Sequence, residues 1–89
     1  MARLELAGYQ QLEFAAQGGA ADGLFELGMR YCSGRDVEVD LTAAHKWFNL
    51  AALRGNKDAR RYRTEISSEM SRPEIADAQR MAREWLTQN

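Results

Sequence analysis

Leu27-Gly28-x-x-Tyr31-x-x-Gly34-x-x-Val37-x-x-Asp40-x-x-x-Ala44-x-x-Trp47-Phe48-x-x-Ala51-Ala52-x-x-Gly55-Asn56 decides the fold of this chain. Large and small apolar residues recur at helical spacing on both sides of a short break at 33–40. Gly28 has no Cβ and lets two helices approach closely. Ala44, Ala51 and Ala52 keep the second segment thin, and Tyr31, Trp47 and Phe48 fill the space that remains. Gly34 and Gly55 stand where the chain needs a positive φ to leave a helix. Asp40 is an N-cap, because its carboxylate can accept from orphan backbone N–H groups.

Outward from this stretch, the sequence predicts five helices. The first runs from about Leu4 to Ala16 and stops at Gly18-Gly19. The second covers 22–32, with Leu24, Leu27, Gly28 and Tyr31 on one face. The third runs from Asp40 to Arg54 and Gly55. Asn56 caps the fourth, whose stripe is Ala59, Tyr62, Ile66 and Met70. Ser71 and Glu74 form a capping box for the fifth, with Pro73 in its first turn and Ile75, Ala78, Ala82, Trp85 and Leu86 as its apolar face. Asp77, Arg80, Arg83 and Glu84 then face water. The linkers are short, so successive helices are expected to be antiparallel.

Ala15-Ala16-x-x-Gly19 recurs as Ala51-Ala52-x-x-Gly55, which marks a repeat. The full string over 21–56 closely resembles the Sel-one-like repeat (SLR) family, a relative of the tetratricopeptide repeats. Residues 1–20 resemble the second half of a preceding repeat, with Gln11 where tryptophan is expected. Residues 57–70 begin a repeat they do not complete, since Arg63-Thr64 replaces Leu-Gly. Residues 71–89 look like the capping helix that closes bacterial members. Asp36 and Glu38 depart from the family's glycine and proline, and aspartate tolerates a left-handed turn. The resemblance implies a single domain, an all-α solenoid of antiparallel helix pairs, that works as a protein-interaction scaffold. It implies neither a reaction nor a cofactor.

Composition agrees with such a role. The 89 residues allow one modest core, and 45% hydrophobic with 28% charged residues is a globular mix. The net charge of −1 does not favour nucleic acid or an anionic membrane as partner. Cys32, the one cysteine, excludes an internal disulfide. The N-terminus lacks the apolar run of a secretory signal, and the expectation is a cytoplasmic chain with no membrane span.

Several groups of residues invite a functional role. The family geometry puts Asp22, Phe25, Met29 and Cys32 along a concave groove, where an unidentified protein partner would lay an amphipathic or extended apolar segment. The bland alternative is ordinary core packing of the same four. Arg54, Lys57, Arg60, Arg61 and Arg63 form a basic cluster, with Arg60 and Arg61 opposing the macrodipole of the fourth helix. It could meet an acidic partner or nucleic acid, or be a solvated face with an Arg61–Glu65 pair. A third possibility is self-assembly of the incomplete repeats through exposed ends. The run Asp36-Val37-Glu38-Val39-Asp40 imitates the start of a calcium loop and then fails at Leu41 and Trp47, so no metal site is expected. Cys32 and His45 suggest a nucleophile pair, but the hairpin register sets them about a turn apart with no third orienting group. Trp47 and Trp85 read as core.

Overall fold

The computed structural model of the chain describes residues 20–88. The predicted helix from Leu4 to Ala16 and the Ala15–Gly19 part of the repeat lie outside them. The described residues form four helices and no strand: α1 (Ala21–Ser33), α2 (Leu41–Leu53), α3 (Ala59–Ser67) and α4 (Arg72–Gln88).

The local signals place the ends of these helices. At the close of α1, Gly34 takes φ 77°, and its N–H and that of Arg35 both donate to the Arg30 carbonyl. The turn continues through Asp36 at φ 67°, a conformation that aspartate tolerates, and the Asp36 carboxylate accepts from Arg30 at 2.9 Å. Asp40 caps α2 by accepting from the Ala43 N–H at 3.0 Å, and its own N–H donates to the Tyr31 carbonyl. The far end of α2 is a Schellman motif. Gly55 at φ 104° donates to Ala52, and Asn56 donates to Ala51. The Asn56 side chain then accepts from the N–H groups of Asp58 and Ala59 and so opens α3. The capping box of α4 is reciprocal: Ser71 N–H donates to Glu74, and Glu74 N–H donates to the Ser71 hydroxyl.

Among the described residues, packing is organised around α2, which takes part in all three principal helix–helix interfaces. Its burial explains this. Ala43, Ala44, Trp47, Phe48, Leu50 and Ala51 are all buried, so α2 is apolar around most of its circumference. One face meets α1, where Phe48 is 0% exposed and lies over Gly28. A Cβ built on Gly28 would fall 2.5 Å from two carbons of that ring, so the glycine is required by the approach. A second face meets α4, where Trp47 and Trp85 cross edge-to-face with centroids 6.1 Å apart. Such a pair contributes about 1 kcal/mol beyond the area it buries. A third face meets α3 through the stacked Phe48 and Tyr62 rings and the Arg63–Asn49 hydrogen bond.

These contacts also give the directions. Tyr31 meets Asp40 while Phe25 meets Phe48, so α1 and α2 are antiparallel. Asn56 bonds to Asp22 and Phe25 packs on Tyr62, so α3 runs in the same sense as α1. α4 begins beside the start of α2, where Glu74 lines a cavity with Asp40, and passes Trp47 with Trp85. It therefore runs in the same sense as α2. The predicted stripes on α3 and α4 face inward with two corrections: α3 ends at Ser67, so Met70 packs against the core from the turn beyond it, and Leu86 is 38% exposed and lies off the buried face formed by Ala78, Ala82 and Trp85. The helical turn carries residue 86 about 100° past residue 85, and Trp85 already fills the inward position.

Candidate functional site

The four residues expected along the groove divide between packing and surface. Phe25 is half-buried in an aromatic cluster, with its ring 5.6 Å from Phe48 and 5.4 Å from Tyr62. Its first role is to join α1, α2 and α3. Asp22 is exposed and accepts from the Asn56 side chain at 3.2 Å, which ties the N-terminal ends of α1 and α3 together. Met29 and Cys32 are half-buried and pack against the edge of the core. They are the apolar members of the set that keep accessible surface outside that aromatic cluster.

Cys32 sits toward the C-terminal end of α3. Burial pushes its thiol above the usual range, and the carboxylates of Glu69 and Glu65 push it further. This is the reverse of the electropositive setting that activates a nucleophilic cysteine. His45 is 4% exposed, and its Nδ1 is buried without a hydrogen-bond partner among the described residues. Burial lowers its pKa, and the nearby Arg63 guanidinium lowers it further. Each group is thus held toward its neutral form by its own surroundings.

The basic cluster is not one patch. Arg63 is half-buried and donates to Asn49 across the α2–α3 interface. Arg61 places its guanidinium 5.2 Å from the centroid of Tyr62, a cation–π contact, and makes no ion pair with Glu65. The expected Arg61–Glu65 pair is therefore replaced by an aromatic contact. Arg60 turns the other way and lines a cavity of about 310 Å³ with Lys57, Gly55, Asn56 and Ala52. A helical step of about 100° between neighbours separates Arg60 from Arg61.

The acidic loop has structural duties that the sequence partly announced. Asp36 pairs with Arg30, and Asp40 caps α2. Sequence reasoning missed an open cavity of about 650 Å³ where this loop meets the start of α4. Val37, Val39 and Leu41 line it together with Glu38, Asp40 and Glu74. Val39 is 60% exposed, and at the opposite end of α2 Leu53 is 63% exposed. The alternation Val37-Glu38-Val39 was the available signal, but the return of Glu74 to this loop is a tertiary fact.

Among the described residues, no helix is long and apolar enough to cross a membrane. Comparison with protein-family models, curated proteins and solved structures finds no match to this chain.

Proposed function

We propose that the chain is a non-catalytic protein–protein interaction module of the Sel-one-like-repeat kind. In this reading α1 and α2 form the full repeat unit, α3 begins the next, and α4 closes the stack as a cap. The observation that supports it is the placement of α1 and α3. They run in the same sense and meet at two points, where Asp22 bonds to Asn56 just before α3 and Phe25 packs on Tyr62. First helices of successive repeats lie this way in an α/α solenoid, and their outward faces make one continuous surface.

The contact surface is the face of α1 that carries Met29 and Cys32, beside Glu65 and Glu69. Met29 supplies adaptable apolar area, while Glu65 and Glu69 near Cys32 supply charge at the rim. A segment with apolar anchors and basic flanks fits this combination. Phe25 contributes by rigidifying the face from within.

Capture from the native host identifies the partner, and binding of that purified partner to folded variants tests the surface. Met29→Lys is expected to weaken binding at least tenfold, while Lys57→Glu/Arg60→Glu leaves it within twofold. Retention by Met29→Lys with loss by Arg60→Glu/Arg61→Glu would move the site to these arginines and favour an acidic partner. Loss of capture after nuclease treatment would make that partner a nucleic acid.

A further inference from the structure

The two ends of α2 carry opposite and complementary surfaces. At its N-terminal end, the 650 Å³ cavity combines exposed Val39 and the flanking Val37 and Leu41 with the carboxylates of Glu38, Asp40 and Glu74. Asp40 and Glu74 each commit one carboxylate oxygen to a helix cap, which fixes the position of the charge. Glu38 is exposed and forms no ion pair among the described residues. At the C-terminal end, Leu53 projects into solvent beside Arg54, and Lys57 and Arg60 flank the 310 Å³ cavity. None of these three cations forms an ion pair among the described residues. A Cβ on Gly55 would meet nothing within 4 Å, so the space over this turn is open.

We propose that a second copy of the chain occupies these surfaces, head to tail, with the Leu53–Arg54–Lys57–Arg60 end of one molecule seated in the Glu38–Val39–Glu74 end of the next. Three observations select this occupant. The acidic end offers three carboxylates, and the basic end offers three cations against the one carboxylate of Asp58. Each end also exposes one large aliphatic residue, which can leave water only against a partner. The ends stand about 20 Å apart along a helix of 13 residues, so one molecule cannot satisfy itself. Because the two surfaces differ, the contact is heterologous, and repeating it builds an open chain or a ring. The contact is partly exposed, so it weakens as salt screens it. This surface is separate from the Met29 face and does not depend on the function proposed for that face.

The test is the mass of the full chain in sedimentation equilibrium, over a roughly hundredfold range of concentration, at low and high salt. Wild type is expected to grow in mass with concentration at low salt and to shrink toward the monomer at high salt. Glu38→Lys/Val39→Lys removes the acidic end, and Lys57→Glu/Arg60→Glu removes the basic end. All four side chains are exposed, and circular dichroism verifies that each variant is folded. Each variant alone is expected to be monomeric, because it lacks one half of the contact. Mixed together, they retain one intact end each and are expected to form a one-to-one dimer and nothing larger. A wild type that stays monomeric throughout overturns the proposal. So does an assembly that survives either double substitution, and so does a mixture that remains monomeric.

Discussion

Replacing Gly28 with alanine sets two physical effects of known sign against each other. In the middle of α1, alanine favours the helix over glycine by about 1 kcal/mol. Propensity alone therefore predicts a more stable protein. The structure predicts the reverse. The new Cβ would stand 2.5 Å from Cδ1 and Cε1 of Phe48 and 3.0 Å from Cγ. Carbon atoms rest about 3.5–4 Å apart, so the ring must retreat by about 1 Å. Phe48 is 0% exposed and is hemmed in by Phe25 and by the stacked Tyr62, with ring centroids 5.6 and 5.7 Å away. The displacement is passed to both neighbours. Overpacking of a filled core costs about 1–3 kcal/mol; with two neighbouring rings displaced the cost falls in the upper part, about 2–3 kcal/mol, which leaves a net loss of about 1–2 kcal/mol after the propensity gain. For a domain of this size the melting temperature falls by roughly 5–15 °C. Thermal and urea unfolding, followed by circular dichroism at one fixed protein concentration, measure it. A double-mutant cycle with Phe48→Leu isolates the contact. The combined variant should be more stable than the sum of the single losses allows, by about 1 kcal/mol or more. An unchanged or raised melting temperature for Gly28→Ala, or strict additivity in the cycle, would refute the close approach of α1 and the Phe48 ring.

Two further outcomes follow from buried titrating groups. His45 has a folded-state pKa below its unfolded value, so the unfolded chain takes up a proton first as pH falls. Its contribution to stability is complete above about pH 6.5 and is lost as pH falls from there through the folded pKa. Urea midpoints between about pH 7.5 and 5, which bracket the ordinary histidine pKa, should therefore decline in the wild type and lose that component in His45→Leu. For Cys32, burial and the Glu69 and Glu65 carboxylates suppress the thiolate. Its alkylation by iodoacetamide near pH 8 should be slower than that of a free cysteine, and Glu65→Gln/Glu69→Gln should accelerate it.

The string 27–56 announced α1, α2 and the turn between them because each of its residues acts on its own neighbourhood. Asp40 caps the next turn, Gly34 and Gly55 release the chain, and Ser71 with Glu74 opens α4. Gly28 was legible as a point of close approach, although the group that fills it, the Phe48 ring, depends on the register of two helices. The candidate sites were less legible, because a surface is assembled from elements distant in sequence. Arg60 and Arg61 are adjacent in the chain yet face different sides of α3. Arg61 lies over the Tyr62 ring and makes no ion pair with Glu65. Glu74 reads as a cap and nothing else until α4 returns it to the Val37–Val39 loop.

The sharing of α2 among all the principal interfaces also bears on how the molecule assembles in time. In an array where each unit touches only the next, structure can start anywhere and spread. Among the described residues, α1, α3 and α4 make little contact with one another, so each gains its main interface once 41–53 is helical. Such an arrangement is expected to gain and lose its order in one step, with coincident unfolding transitions by different probes as the check. Substitutions on α2 are felt in the rate of folding, and those on the outer side of α4 in the rate of unfolding.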